Sequence, residues 1–224
     1  MTITRISRLG IVNAYLVQED DGLTVIDTGL RGMHGSILAA ARRLQQPVMR
    51  IALTHAHTDH AGSIDALAAA LPGVEVIASR REAALMKGDK TTGRDEPPTQ
   101  VRGGFPRIAT VPTRTVAHDD RIGSLRVIAT PGHTPGHVAF IDTRDGTAYV
   151  GDLFTTQNGM AASAVTSWRY PIAGLATWNR ELSLHSAQLL HELRPERLAS
   201  GHGDVANRPG SAMRRAIDIA ARRL

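Results

Sequence analysis

The sequence predicts an α/β protein in which two β-sheets pack face to face and helices cover their outer faces, an αββα sandwich. Two observations favour this fold class. Apolar, β-rich segments alternate with amphipathic helical segments, and both halves of the chain run from strands to helices. No linker-like stretch divides the 224 residues, so we expect a single domain over residues 1–224.

The first half begins with strands that an acidic turn at 19–21 separates. The first helix is predicted from Ile37, Ala41 and Leu44, which recur on one helical face. A later helix ends at Pro72-Gly73. The expected elements are strands at 11–17 and 22–26, a helix at 33–44, a strand at 50–54, a helix at 63–71 and a strand at 74–78.

The pattern becomes irregular between residues 79 and 112, where segment 88–107 is rich in glycine, proline and polar residues. A loop of this length inside a domain is usually functional or disordered. Regular elements then resume. They are strands at 125–129, 137–142 and 147–150, a loop at 153–173, one long amphipathic helix near 175–193, a short strand at 197–199 and a closing helix at 211–223.

Composition excludes several classes of protein. No apolar run approaches the 18 residues of a membrane span, and charges interrupt the first thirty residues too often for a secretory signal, so we expect a cytoplasmic protein. Cysteine is absent, which excludes disulfides, thiolate metal sites and cysteine nucleophiles. The net charge of +5 comes from scattered arginines, and aromatic residues make up only 4%, so nucleic-acid binding is disfavoured.

The strongest chemical signal is a run in which four metal-capable side chains fall within six residues: His55, His57, Asp59 and His60. The run lies where a strand ends and a helix begins. Alternate residues of an extended segment point the same way, so His55 and His57 can share one cation. The turn into the helix redirects Asp59 and His60 towards a second position. These residue types suit zinc or another divalent ion of similar character.

Further candidates follow later strands. His133 lies at the tip of a turn that proline and glycine restrict, while His137 opens the next strand and is expected to pack or to support its neighbours. Asp152 ends an apolar strand, and His202 follows the strand at 197–199. An aspartate at a strand end can also cap a turn, so these positions gain weight only beside the histidine-rich run.

Together these residues resemble the metallo-β-lactamase superfamily over nearly the whole chain. The matching motifs are NAYLV at 13–17, VIDTG at 25–29, HAHTDH at 55–60, PGHTPGH at 131–137, GD at 151–152 and GHG at 201–203. The resemblance implies a metal site at one edge of the sandwich. It assigns His55, His57 and His133 to a first metal, Asp59, His60 and His202 to a second, and Asp152 to both. Asp27 would support the metal loop from behind, and a plain turn-forming role is the alternative.

The resemblance implies two divalent ions, with Zn²⁺ expected and iron or manganese as alternatives. A hydroxide bridging the metals would attack the carbonyl of a small ester, lactone or thioester, and Asp59 would orient it and take up its proton. An aspartate at position 152 is typical of such hydrolases, so β-lactam cleavage is disfavoured. Nucleic-acid processing is disfavoured because the sequence shows no clear equivalent of the extra domains or the substrate arm of the RNA-processing members. The main alternative is a sulfur dioxygenase that holds one iron.

Substrate specificity is expected in two loops at 83–107 and 153–173, because loops over a rigid scaffold commonly carry binding residues. The first contributes Met86, Val101 and Phe105, and Tyr170 in the second could reach the metals. The alternative is that these side chains only seal the loops onto the sandwich. The second loop also brings Phe154, Met160 and Trp168.

Overall fold

Two six-stranded sheets, each formed by one half of the chain, organise the structure, a computed structural model that describes residues 3–168 and 170–224. The strands of the first sheet lie side by side in sequence order. They are β1 (Thr4–Arg8), β2 (Val12–Glu19), β3 (Gly22–Ile26), β4 (Val48–Ala52), β5 (Glu75–Ser79) and β6 (Arg114–Val116).

Pairing is antiparallel from β1 to β3 and parallel from β3 to β6. Parallel neighbours need crossover connections, and their carboxyl ends meet at one edge of the sheet. The segments that follow β3, β4 and β5 therefore leave the sheet side by side. The helices of this half are α1 (His34–Leu44), α2 (Thr58–Ala61), α3 (Ile64–Ala70) and α4 (Arg80–Met86).

The second sheet has the strand order β14-β13-β10-β9-β8-β7, and β10 and β13 are parallel. Their carboxyl ends lead into Asp152 and His202. The strands are β7 (Arg121–Ile122), β8 (Leu125–Ala129), β9 (Val138–Asp142), β10 (Thr147–Tyr149), β13 (Arg197–Ala199) and β14 (Ala206–Asn207), with a separate hairpin of β11 (Phe154–Thr155) and β12 (Ala161–Ala162). The helices are α5 (Pro171–Ala176), α6 (Arg180–Glu192) and α7 (Gly210–Ala221).

Three apolar clusters divide the core into layers. One packs the first sheet against α1, α3 and α4, and another packs the second sheet against α6 and α7. The third lies between the sheets and joins Tyr15, Ile26 and Ile77 of the first to Val127 and Phe140 of the second. This arrangement confirms the predicted αββα sandwich. Among the described residues, no helix combines the length and the apolar character that crossing a membrane requires.

Two predictions about the helices are wrong. The single helix expected near 175–193 is interrupted, because Thr177 is extended and Asn179 starts α6 by accepting a hydrogen bond from the Leu182 amide at 2.9 Å. The stretch from 79 to 112, expected to be irregular, begins with α4. Ser79 caps that helix by accepting from the Glu82 amide at 3.1 Å. A serine followed three residues later by glutamate is a helix-start signal, so this helix is marked in the sequence despite the irregular stretch that follows it.

Candidate metal centre

All seven residues predicted to bind metal lie together where the carboxyl ends of β4, β10 and β13 meet. His55, His60, His133 and His202 are fully buried, and Asp59 is the most accessible of the seven, with 24% of its side chain exposed. Potential ligand atoms converge to within 4.8 Å of one another in three overlapping groups. The groups are His55, His57 and His133; His55, His60 and Asp152; and Asp59, His60 and His202.

The loop after β4 is anchored from behind by Asp27, which follows β3 and has a left-handed backbone with φ of 57°. Its Oδ1 accepts from the Thr54 amide at 2.8 Å, and its Oδ2 accepts from the Thr54 hydroxyl at 2.7 Å. The same Oδ2 lies 2.8 Å from Nδ1 of His60. Asp27 thus contacts both ends of the histidine-rich run, the supporting position that the resemblance implied for it.

The five imidazoles each bond the surrounding protein through one ring nitrogen and turn the other inward. The outer partners are the Thr54 hydroxyl for His55 Nδ1 (3.1 Å), the Arg102 carbonyl for His57 Nε2 (3.0 Å), the Asp27 carboxylate for His60 Nδ1 (2.8 Å), the Thr177 hydroxyl for His133 Nδ1 (3.1 Å) and the Ile11 carbonyl for His202 Nδ1 (3.0 Å).

These outer partners determine which ring nitrogen carries the proton in the neutral imidazole. Carbonyl and carboxylate oxygens only accept, so the rings of His57, His60 and His202 donate to them. The Thr54 hydroxyl already donates to Asp27, and the Thr177 hydroxyl donates to backbone carbonyls at 2.8 Å. Both hydroxyls therefore accept from their histidines. In the neutral form of each ring the inward nitrogen is therefore left with a lone pair, which is the form that binds a metal.

A divalent cation fits this donor set. Within the described chain, four of the inward atoms are buried without a hydrogen-bond partner: Nε2 of His55, His60 and His202, and Oδ1 of Asp152. Buried polar atoms are nearly always paired, because an unpaired one costs free energy. Imidazole nitrogens and carboxylate oxygens are ligands for zinc, iron and manganese. The residues present therefore suit a metal at the point where they converge.

Asp152 faces both sets of histidines. Its Oδ1 lies 3.2 Å from Nε2 of His60 and 3.0 Å from Nε2 of His202, while its Oδ2 lies 3.6 Å from Nε2 of His133. On the far side, Oδ2 of Asp59 lies 3.3 Å from Nε2 of His202. Asp152 can therefore contact two cations, whereas the Asp59 carboxylate lies beside His202.

The charges differ between the two sides. Burial and the neighbouring imidazoles hold the pKa values of His55 and His133 well below the ordinary histidine value, so these rings are neutral. Burial would also lower the pKa of His202, but Asp152 beside it raises that pKa to about 9. Burial would raise the pKa of Asp59, yet His202 and His60 lower it to about 2. Both sides thus present an ionised carboxylate, and a cation would replace the proton on His202 as its counter-charge.

His137 does not point into the cluster. Its Nε2 lies 3.3 Å from the Asp152 amide, which donates to it, and its Nδ1 lies 2.8 Å from the Thr130 hydroxyl. Burial lowers its pKa to about 3, in agreement with a neutral ring that accepts a hydrogen bond. His137 therefore orients the backbone of Asp152, a supporting position of the kind that the sequence analysis expected.

The predicted specificity loops are only partly at the site. The Phe105 ring lies 4.8 Å from the His57 ring, and the Tyr170 hydroxyl lies 3.0 Å from Nδ1 of His202. Met86, Val101 and Phe154 belong to the hydrophobic core, in agreement with the alternative that such side chains seal the loops onto the sandwich. Met160 and Trp168 line a separate surface cavity of about 190 Å³ beside α7.

Sequence reasoning missed the backbone that covers His57. The Arg102 carbonyl accepts from that ring, and a Cβ at the next residue, Gly103, would lie 2.0 Å from Nε2 of His57. The Gly103-Gly104 pair was a usable signal, because glycine marks close approaches of backbone. Thr177 was hidden in the stretch predicted as one helix.

Contacts from β2 hold the loop that carries His202. The Asn13 side chain donates to the carbonyls of Ser200 at 3.0 Å and Gly203 at 2.7 Å. The Tyr15 hydroxyl donates to the Ser200 carbonyl at 2.6 Å, and the Asn13 amide donates to the Gly201 carbonyl at 2.9 Å. The first sheet therefore fixes a ligand loop that the second sheet supplies.

Comparison with known proteins agrees with this geometry. The model of the metallo-beta-lactamase superfamily matches residues 7–202. An uncharacterized protein of Bacillus subtilis strain 168, YobT, is 44% identical over 93% of this chain and 90% of its own. The hydroxyacylglutathione hydrolase GloC of Haemophilus influenzae is 30% identical over 63% of this chain and 66% of its own. Among solved structures, TTHA1623 in a di-iron-bound form superposes with a TM-score of 0.71 at 26% identity, over 95% of this chain and 97% of that one.

Proposed function

Because the chain belongs to the metallo-β-lactamase superfamily and is a metal-dependent hydrolase, we propose that it binds two divalent ions and hydrolyses small carbonyl substrates. The substrate class is an ester, lactone or thioester. The observation that carries this proposal is the convergence of five imidazole lone pairs and two carboxylates, with Asp152 facing both sets.

His55, His57 and His133 would hold the first ion, Asp59, His60 and His202 the second, and Asp152 would contact both. When bound, two divalent ions lower the pKa of a water molecule and polarise a carbonyl oxygen. Zn²⁺ is the proposed metal, and the di-iron-bound relative supports iron as the alternative. GloC, which is named a hydroxyacylglutathione hydrolase, supports thioesters within the proposed class.

The chain's own residues supply positioning and proton transfer. Asp59 is ionised, because its pKa is lowered to about 2, and its side chain is the most accessible of the seven. It can therefore accept a proton at the open side of the cluster. The other six side chains are buried, so Asp59 marks the side from which a substrate can reach the ions. The Tyr170 hydroxyl lies beside Nδ1 of His202, the nitrogen that faces the surrounding protein, so it neighbours the cluster without facing the proposed ions.

Metal content and a substrate panel test the proposal together. The protein is stripped of metal, reconstituted separately with Zn²⁺, Fe²⁺ and Mn²⁺, and assayed for bound metal and for turnover of a lactone, a thioester, a phosphodiester and a β-lactam. We expect two ions per chain and turnover of the lactone or thioester. One ion per reconstituted chain would overturn the dinuclear proposal, and oxygen uptake with a single iron would indicate a dioxygenase instead.

Asp59→Asn tests the proton-transfer role. The amide keeps the size and one ligating oxygen but lacks the negative charge, so we expect kcat to fall roughly 10²- to 10⁴-fold, the usual contribution of a positioned acid or base. Bound metal is measured in the same samples. Turnover at the wild-type rate in an Asp59→Asn protein with full metal content would contradict the role.

A further inference from the structure

Glu82 is a fully buried carboxylate on α4 to which the proposed reaction gives no part. It accepts three hydrogen bonds from two separate segments. Oε2 accepts from the Ala56 amide at 2.8 Å, and Oε1 accepts from the Thr134 hydroxyl at 2.5 Å and the Gly136 amide at 3.0 Å. Two of the three donors lie next to proposed ligands, because Ala56 separates His55 from His57 and Thr134 follows His133; Gly136 belongs to the same turn as His133.

The two segments that Glu82 joins supply the whole first metal group. Nδ1 of His57 and Nε2 of His133 come within 3.0 Å of each other, although 76 positions separate them in the chain. A shift of either segment would change the distance between these two nitrogens directly. The Glu82 carboxylate binds backbone amides and one hydroxyl of these segments and takes up none of their ligand nitrogens.

The turn that carries His133 also packs directly on the start of α4. The Ser79 hydroxyl donates to the Gly136 carbonyl at 2.7 Å, and a Cβ at Gly136 would lie 2.7 Å from the Glu82 amide nitrogen. A glutamate three residues after a helix cap ordinarily bonds the backbone of the cap. The oxygens of Glu82 instead bond the two ligand-bearing segments.

Burying this carboxylate is costly, which argues against an incidental position. Burial raises the pKa of Glu82 to about 7, although the bonds from Thr134, Ala56 and Gly136 lower it. Both oxygens of Glu82 contact donors, and these bonds offset the cost of burial, so losing one of them is expected to disturb the segments that it holds.

We propose that Glu82 is a positioning residue that sets the spacing between the His55–His57 loop and the His133 turn and so sets metal affinity at the first group. The proposal rests on the proposed function only in requiring that a metal bind there. It concerns metal affinity and not turnover, so it can be tested without a substrate.

Glu82→Gln should break at least one of these contacts. Two of the three partners are backbone N–H groups, which donate hydrogen bonds and cannot accept one from the NH₂ group of glutamine. A glutamine has one oxygen, so its NH₂ group must face the N–H of either Ala56 or Gly136. One segment is then released while side-chain volume is unchanged. Asp65→Asn is the matched control. Asp65 on α3 accepts from the Thr110 amide at 2.8 Å and the Thr110 hydroxyl at 2.6 Å, but this contact touches none of the seven ligands.

The two metal groups are separated by background variants. His202→Ala keeps the first group and His57→Ala keeps the second, and each protein is titrated with Co²⁺ alone while the visible absorption is recorded. We expect Glu82→Gln to lower Co²⁺ affinity roughly 10- to 100-fold in the His202→Ala background, as loss of a ligand-supporting contact does. In the His57→Ala background, and for Asp65→Asn in either background, we expect a change below about threefold, since no supporting contact is lost there.

Equal losses in both backgrounds, or none in either, would overturn the positioning role. If Glu82→Gln does not fold, Thr134→Val decides, because it removes one donor and keeps the carboxylate. We expect it to lower affinity at the first group about three- to tenfold, the worth of one hydrogen bond, and unchanged affinity would refute the proposal. Co²⁺ binding by the wild type at only one group would count against the dinuclear function, while the Glu82 result stands on the first group alone.

Discussion

Gly103→Ala probes the close contact between segment 99–107 and His57. A Cβ at this position would lie 2.0 Å from Nε2 and 2.6 Å from Cε1 of His57, and the backbone has a φ of 93°. The neighbouring Gly104 is a matched control. A Cβ there would meet only the Thr58 hydroxyl at 3.4 Å, and its backbone is not left-handed.

The size of the effect follows from the contacts that must break. An alanine in a left-handed conformation costs about 1–2 kcal/mol, which lowers Tm by about 2–8 °C in a chain of this size. The contact at 2.0 Å cannot be kept, so either the segment lifts or His57 turns. In both cases the bond to the Arg102 carbonyl is lost, and loss of such an outer partner lowers metal affinity roughly 10- to 100-fold.

Two measurements on the metal-free proteins test this prediction: a thermal melt and a titration with Zn²⁺ against a competing chelator. We expect Gly103→Ala to lose both stability and metal affinity and Gly104→Ala to lose little of either. The reasoning is refuted if the two variants bind Zn²⁺ equally well, since the backbone over His57 would then not control its orientation.

Three further predictions concern residues around the cluster and in the core. Asp27→Asn should weaken metal binding roughly 10- to 100-fold in a Zn²⁺ titration, because one amide cannot accept from Thr54 and His60 as the carboxylate does; wild-type affinity would contradict the anchoring role. Tyr170→Phe should change affinity by less than about threefold, since the Ile11 carbonyl still accepts from His202 and the orienting bond is kept. A loss as large as that of Asp27→Asn would show that the Tyr170 hydroxyl orients this ring. Phe140→Ala should lower the free energy of unfolding by about 3–5 kcal/mol in a urea titration, as expected for a fully buried ring between the sheets; a loss below about 1 kcal/mol would mean that the sheets close over the cavity.

Much of the fold and of the candidate site could be anticipated because the informative residues are close in sequence and of unusual type. Four metal-capable residues lie within six positions of the chain: His55, His57, Asp59 and His60. His133, Asp152 and His202 each follow an apolar strand, so the topology brings them to the same edge. The supporting contacts could not be anticipated in this way.

Two kinds of residue escaped prediction for physical reasons. The Arg102 contact is made by a backbone carbonyl. Every residue has one, so the residue type at this position gives no sign of the contact. Thr177 and Glu82 lie in stretches where local pattern misled. The apolar spacing of 175–193 fits one helix, but the Thr177 hydroxyl reaches His133 only because the helix breaks there. Glu82 has the sequence of a helix cap, and its partners are set by tertiary packing alone.

The hydrogen bonds from β2 to the loop that carries His202 affect when the cluster can be completed during protein synthesis. Asn13 is made 187 positions before its partner Ser200, an interval of about 10–40 s at ordinary elongation rates. During that interval the strands of the first sheet are completed, and six of the seven side chains are made while His202 is still missing. His202 follows as the last of the seven, together with the carbonyls of Ser200 and Gly203 that accept from Asn13. Any ion that needs His202 as a ligand can therefore be bound only after this loop has been made and β2 has bound it.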